Sequence, residues 1–475
     1  MKFLKERFCL ILSILYIILM LSICIGIIIN IINVGRYIYF IYFLLAIVIV
    51  FLINLFLFKK NKQINKKFFL TSLVIALILY GMLLFLPYND PYVDYATFYS
   101  NAIHFATDGV YASKYIALFP HLWGYIMFLG TLLKIFTINY SVVIISNIIL
   151  NFISAYVIFK IIKNISDKKA AYLGTILWLY NPINLIWCMF AFGGTAFNTF
   201  LAISIYLVIK FFKANVMKTK LLYSLLIGLS LGITNLFRPV SIIFIIAFLI
   251  VLIYEYFIKK PNSRMLNMIC TVIILVFYIG VGKISNIYLE HEIGYEAATS
   301  IGFTLFSGSD INSNGSWSAT GSKILNEEME KEPFDANKIQ NNLQNLAIEN
   351  YLNNGIKNIN LLLKKFIFLT SDIGGYSWNN ATSMLDIEFQ HNQGNILNFI
   401  SMLGYYILIL INLLFGIHAT KQKELSTILN ILILFIGGFT LASIFLEVAP
   451  RYFLPALIPL TILGSISIIK PEKTN

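Results

Sequence analysis

The chain has 475 residues, of which 59% are hydrophobic and only 12% charged, and its mean hydropathy is +0.81. No soluble domain needs that much apolar surface, so the composition excludes a soluble enzyme and makes the bilayer the solvent for most of the chain. The net charge of +13 would suit nucleic acid in a soluble protein, but here Lys and Arg sit in short clusters between apolar runs, where they serve as orientation charge and point to no nucleic-acid partner.

A spanning helix takes about 20 apolar residues. Runs of that kind fall near 8–33, 37–58, 68–87, 141–159, 170–190, 194–209, 221–237, 240–258, 265–287, 395–417, 425–446 and 452–469, which makes twelve. The first exceeds the apolar core of a cleaved signal peptide and another run follows at once, so it reads as a retained helix. Cys9, Cys24, Cys188 and Cys270 all lie inside apolar runs without paired spacing and read as small core hydrophobes, not as a disulfide framework or a zinc site. A thirteenth segment, Phe119 to Phe136, contains Pro120, His121, Gly124, Gly130 and Lys134.

Charge decides whether that segment crosses. With a cytoplasmic N-terminus and no crossing there, the clusters Lys2–Arg7, Lys59–Lys67, Lys160–Lys169, Lys210–Lys220, Lys259–Arg264, Lys421–Lys423 and Lys470–Lys473 all fall inside and hold 23 of the 35 basic residues. A crossing would put the clusters at Lys160, Lys210 and Lys259 on the opposite face from Lys59–Lys67, so the segment reads as a re-entrant or surface-lying helix. The fold class is then an all-α integral membrane protein with about twelve transmembrane helices, both termini cytoplasmic, and re-entrant or juxtamembrane helices in two large outer loops. The chain divides into three N-terminal helices (1–87), a first outer loop (88–140), a six-helix region (141–287), a second outer loop with a small soluble part (288–394) and three C-terminal helices (395–475). Within the second loop, IKNINLLLKKFIFL has the pattern of an amphipathic helix lying at the interface.

The chemistry belongs to the outer loops. The first brings Asp90, Asp94, His104, Asp108 and His121 together beside aromatics. A carboxylate desolvated on one side at a membrane surface can serve as a general base toward a hydroxyl. Asp94 is the better placed, because Phe98, Ala102 and Phe105 follow it on one helical face; the plainer reading is that Asp90 and Asp94 cap that helix. Arg238, in FRP, and Arg451, in LEVAPRYFLP, are cations at membrane depth on the outer side. Such a group costs several kcal/mol unless paired. A lipid phosphate would satisfy a guanidinium bidentately, although arginines near helix ends also snorkel to ordinary headgroups, and Glu447 stands four residues before Arg451. Lys365 is a further candidate for a phosphate headgroup, with Lys364 beside it, though adjacent lysines on such a helix usually form a solvated face. Tyr95, His121, Trp123 and Glu447 are candidates for contacting substrate. Neither a metal-ligand spacing nor a Gly-rich phosphate loop nor a nucleophile elbow occurs, so no cofactor is indicated and a divalent cation would have no recognisable ligand set.

Several of these features together resemble the GT-C polytopic glycosyltransferases, the group of the protein O-mannosyltransferases and aminoarabinose transferases, over about Leu86 to Pro455. They are Asp94 and FPHLWGY in the first outer loop, the outward turn FAFGGTAF, the stretch LGITNLFRP with Gly228, Gly232 and Arg238, and the late pair Arg451-Tyr452. The chain departs from that pattern at Gly193, Gly194 and Thr195, where an acidic residue is frequent, and two aspartates compete in the first loop. The resemblance implies a sugar donor linked to a polyprenyl phosphate such as undecaprenyl phosphate, an envelope hydroxyl as acceptor, and inverting transfer on the outer face of a plasma membrane. Asp94 would be the base, and Arg238 and Arg451, with Tyr452, would hold the leaving phosphate. A lipid-linked glycan flippase or secondary transporter is the main alternative, but no matched halves or internal repeat are visible. An envelope glycan polymerase or ligase would share the same outer-loop chemistry. The abundance of Ile, Asn and Lys suggests an AT-rich bacterial genome.

Overall fold

The computed structural model describes residues 2–60, 65–107, 109, 113–259, 264–422 and 424–467. Asp108, Lys423, the cluster Lys470–Lys473 and the middle of the two clusters at 59–67 and 259–264 lie outside the described residues. Helices α1 (Lys2–Val34), α2 (Ile38–Lys60) and α3 (Lys66–Met82) lead to α4 (Val93–Thr107), α5 (Ser113–Leu118) and α6 (Trp123–Ile135) of the first long loop. The middle of the chain runs through α7 (Ser141–Ile165), α8 (Lys168–Leu179), α9 (Pro182–Trp187), α10 (Gly194–Lys213), α11 (Met217–Phe237), α12 (Ser241–Lys259) and α13 (Arg264–Ile293). The second loop holds α14 (Gly302–Ser309), α15 (Ala319–Met329), α16 (Ala336–Asn354), α17 (Lys357–Ser371) and α18 (Ile373–Met384), before α19 (Ile387–Ala419), α20 (Thr427–Ser443) and α21 (Leu457–Ser467).

Among the described residues the fold is helical, with one isolated antiparallel bridge between Tyr88 and Leu385. Among the described residues seven helices are long and apolar enough to cross a membrane: Glu6–Val34, Lys66–Phe85, Ser141–Ile165, Gly194–Lys213, Met217–Phe237, Met265–Ile293 and Asn395–Ala419. Shorter apolar helices cover Ile38–Ile53, Ser241–Glu255 and Thr427–Ser443. The protein is therefore a multi-pass membrane protein. Two of the twelve apolar runs are not continuous helices. The run 170–190 breaks after Leu179, because Asn181 accepts a hydrogen bond from Ile183 N and Pro182 opens α9, which has no use for its missing N–H at that position. The run 452–469 begins as a 3-10 stretch, Pro450–Ala456, held out of the α-lattice by Pro450 and Pro455.

Side-chain spacing explains which faces meet lipid. Met265, Met268, Val272, Val276 and Ile279 form an exposed stripe on α13 at spacings of three and four residues. The opposite side of α13 meets α11 closely: a β-carbon at Gly228 would lie 2.6 Å from Ile274 O, and one at Gly232 would lie 2.7 Å from Val281 Cβ. Small residues permit that approach. Segment 119–136 becomes α6, whose 13 residues span about 20 Å and fall short of the hydrocarbon core. It is wedged between α4 and α11, where Gly124 abuts Leu236 O and Gly130 abuts Ala102 O and Phe105.

The two long loops, 88–140 and 288–394, separate in sequence, fold around one core. Ile116, Leu118, Phe119 and Trp123 of the first pack with Phe303, Phe306, Ile339 and Leu343 of the second and with Leu289 at the end of α13. Hydrogen bonds pin them together: Ala298 N donates to Ala117 O at 2.8 Å, and Gln340 Nε2 to Leu118 O at 2.9 Å. At the far end Asn89 N donates to Met384 O and Asp386 N to Pro87 O, which joins the start of the first loop to the end of the second.

Candidate active site

Three backbone interruptions deliver the site's charges. Arg238 ends α11, and Pro239 forces it to an extended φ of −158° and ψ of 129°, so the guanidinium leaves the helical lattice. Arg451 is carried by the proline-bounded 3-10 stretch. Asp94 stands in the first turn of α4, directly after Val93, whose φ is +48°. A β-branched residue in the left-handed region is strained. Val93 is also 72% exposed, so burial of its side chain does not account for the conformation.

These elements bring Asp94 and Arg451 into contact across 357 residues of chain, with Arg451 Nη2 donating to Asp94 Oδ2 at 2.6 Å. Arg238 Nη1 donates to Arg451 O at 3.2 Å, and no described carboxylate forms an ion pair with Arg238. Phe192 and the Tyr452 ring serve both cations: the Arg238 guanidinium lies 5.3 Å and 5.4 Å from their centroids, and that of Arg451 6.0 Å and 5.4 Å. Such cation–π contacts offset part of the cost of burying charge. Burial nonetheless pushes Arg238 down to about 10, the nearby phenol of Tyr452 opposing and Arg451 reinforcing that change. Arg451 Nε is buried without a hydrogen-bond partner. The Tyr452 phenol donates to Glu447 Oε1 at 3.1 Å. Burial raises the Glu447 carboxyl above its ordinary range, against the hydrogen bond from Tyr452 and the charges of Arg451 and Lys365.

Tyr95 is buried beside Trp187, Phe190 and Phe192, and its hydroxyl donates to Asn380 Oδ1 at 3.2 Å, an oxygen that Tyr92 also reaches at 2.9 Å. His121 follows Phe119, its ring edge-on at 6.2 Å. Burial and the positive field of Arg238 push it down to about 4, which makes it a neutral imidazole at physiological pH.

Asp94, Arg238, Arg451, Tyr452, Glu447, Tyr95 and His121 thus converge. Three candidates stand elsewhere. Asp90 is exposed and makes no ion pair to a described residue. Trp123 is fully buried in the shared outer core between Phe105 and Tyr288, so it supports the cap and does not face the charges. Lys365 is also fully buried; it reaches neither headgroups nor solvent, and its ammonium donates to Gly308 O at 2.7 Å and Tyr351 Oη at 3.3 Å. The pairing of Glu447 with Arg451 suggested by their spacing is replaced by Glu447–Tyr452 and Arg451–Asp94. Phe192 was the residue to find in FAFGGTAF: the turn's chemical content is an aromatic ring, and Gly194 lies so close beneath it that a β-carbon there would sit 3.0 Å from the ring. Among the described residues no group of three His, Cys, Asp or Glu could hold a metal ion.

Residues 120–281 match the family model of dolichyl-phosphate-mannose-protein mannosyltransferases, a stretch that includes His121, Phe192 and Arg238. The match covers 162 of the 475 residues, from Pro120 into α13, and is a likeness over that stretch. The structure is similar to the crystal structure of ArnT from Cupriavidus metallidurans bound to undecaprenyl phosphate, with 10% identity, a TM-score of 0.38, and coverage of 83% of this chain and 77% of that chain. No protein of curated function matches the chain.

Proposed function

We propose that the protein transfers a sugar from a polyprenyl-phosphate carrier to an envelope hydroxyl on the extracytoplasmic face, by inversion, with Asp94 as general base. The observation that carries this reading is the pair of adjacent half-buried guanidiniums, of which only Arg451 has a carboxylate partner among the described residues. Two cations at membrane depth facing one aspartate fit a lipid phosphate, and a match to a family named for a dolichyl-phosphate sugar supports a donor of that class. The leaving group is then a phosphate already held by Arg238 and Arg451, and needs little protonation. Asp94 takes the acceptor proton as the hydroxyl attacks the anomeric carbon from the face opposite the phosphate.

The reading includes a topology of about twelve crossings with both termini cytoplasmic, and a chain divided at residues 87, 140, 287 and 394 into alternating membrane and outer regions. The composition favours a bacterial plasma membrane and an undecaprenyl-type carrier.

The test is transfer of labelled sugar from a panel of short-chain polyprenyl-phosphate sugars to membrane extracts by the purified protein. Asp94→Asn loses at least about 100-fold in turnover, the usual contribution of a general base, and Asp90→Asn retains most of it. Equal turnover in Asp94→Asn and the parent protein removes Asp94 as the base. Transport of a lipid-linked glycan without transfer would instead identify a flippase.

A further inference from the structure

The ion pair between Asp94 and Arg451 conflicts with a simple catalytic role for the aspartate. With its Oδ2 engaged by the Arg451 guanidinium at 2.6 Å, the carboxylate is not free to take a proton from an acceptor hydroxyl. The two members of the pair are not equally fixed. The Arg451 side chain is 16% exposed and flanked by Phe192 and Tyr452, whereas that of Asp94 is 37% exposed. Arg451 also has unused donor capacity in its buried Nε, and Arg238 stands beside it without a carboxylate. A planar guanidinium can serve a phosphate through two parallel bonds, which the single Asp94 oxygen does not provide.

We infer that Asp94 holds Arg451 in the absence of donor, and that the donor phosphate takes the guanidinium over, freeing Asp94 to act as the base. This rests on the reading of the site as a phosphate-linked glycosyltransferase centre. The charges balance through the step. Before transfer, Asp94 and the phosphodiester each carry one negative charge. The acceptor oxygen forms a bond to the anomeric carbon, the bond from that carbon to the phosphate oxygen breaks, and the acceptor proton passes to Asp94. Asp94 is then neutral and the polyprenyl phosphate monoester carries two negative charges. The negative charge that Arg451 faces therefore grows on the phosphate as it disappears from Asp94, so its attraction to the leaving group is strongest late in the reaction, where binding accelerates the step. Loss of the proton from Asp94 afterwards restores the competing carboxylate and assists product release. Donor binds before acceptor activation, and no activated base stands exposed to water in the unliganded enzyme.

The pair makes an unusual demand of the variant that abolishes chemistry: it should bind product better. The measurement is binding of a short-chain polyprenyl monophosphate to the full-length protein in detergent, with inorganic phosphate as competitor to separate headgroup from tail. Asp94→Asn is expected to tighten binding about tenfold, the equivalent of about 1.4 kcal/mol. Removing a negative charge near a phosphate also tightens binding nonspecifically, so Glu447→Gln is the companion variant: its carboxyl bonds Tyr452 and not Arg451, so no guanidinium is released to the phosphate and a gain below about threefold is expected. Equal gains in both variants, or none in Asp94→Asn, overturn the exchange. Asp94→Ser provides the same test if the Asn form does not fold. The underlying reading fails differently: if Arg451→Gln and Arg238→Gln both bind the monophosphate as the parent does, the two arginines are not the phosphate site.

Discussion

At the scale of single residues, Lys365 separates what sequence spacing can say from what packing decides. As one of two adjacent lysines on an amphipathic helix it reads as solvated or headgroup-facing, and Lys364 is indeed exposed. Lys365 turns inward because its stem fills the space over Gly315, where a β-carbon would lie 2.4 Å from Lys365 Cδ, and its ammonium ties α17 to Gly308 and Tyr351. Burial pushes it down to about 7, with Glu447 opposing. The native protein therefore releases this proton at a lower pH than the unfolded chain, whose lysine titrates near its ordinary 10.5. Between those values the unfolded state binds more protons, so this group makes stability rise with pH. Lys365→Met is expected to flatten that rise in thermal unfolding between about pH 7 and pH 9, and to leave polyprenyl monophosphate affinity unchanged. A loss of affinity would return Lys365 to the phosphate site. Asp94, Arg238 and Arg451 were legible for a different reason. Charge inside or beside apolar sequence is conspicuous, and Pro239 marks where Arg238 leaves α11 while Pro450 opens the 3-10 stretch that carries Arg451. Their mutual contact was not legible, since nothing local records a pairing over 357 residues.

At the scale of elements, glycines decide which helices can meet. Gly124 lies against the backbone of α11 at the helix end that carries Arg238; a β-carbon there would fall 2.2 Å from Leu236 O. Backbone cannot yield as a flexible side chain does. Gly124→Ala is therefore expected to cost about 1 to 3 kcal/mol, as overpacking commonly does, and to lower transfer by displacing Arg238. Gly280→Ala supplies the contrast: nothing lies within 4 Å of a β-carbon at that helical position, and alanine is the better helix former by about 1 kcal/mol. Thermal unfolding of both variants checks the pair of predictions, and an undisturbed Gly124→Ala would mean that α6 is free to move on α11. The LGITNLFRP stretch thus has two physical contents. Gly228 and Gly232 let α13 approach, and FRP sets the cation. Apolar runs alone could not reveal the interruptions at Asn181-Pro182 and at Pro450, because hydropathy averages across a break that capping and proline geometry create.

At the scale of the whole molecule, the shared core of the two outer loops makes the cap one body, anchored to α13 and closed by the pairing of residues 87–89 with 384–386. Asp94 comes from the first loop, on a helix whose Tyr95, Phe98 and Ala102 pack into the large core with the membrane helices, whereas Arg238 ends α11 and Arg451 follows Glu447 and Val448, whose backbone N–H groups donate to Thr304 O and Gly315 O of the second loop; the site lies at this junction, and its side of the membrane follows the cap. On the proposed topology the cap lies outside. The four native cysteines are all buried, which allows single cysteines to be introduced as reporters without removing them. Asn312, in the cap, and Lys218, in the first turn of α11, are both exposed. With a membrane-impermeant maleimide on intact cells, Asn312→Cys is expected to label and Lys218→Cys to label only after the membrane is opened. The reverse pattern would place the Asp94–Arg451 pair on the cytoplasmic face, within reach of soluble nucleotide sugars, and the lipid-carried donor would lose its physical rationale. Labelling of both positions in intact cells would mean that the number of crossings between α11 and the cap is even, contrary to a crossing by α11, α12 and α13 in turn.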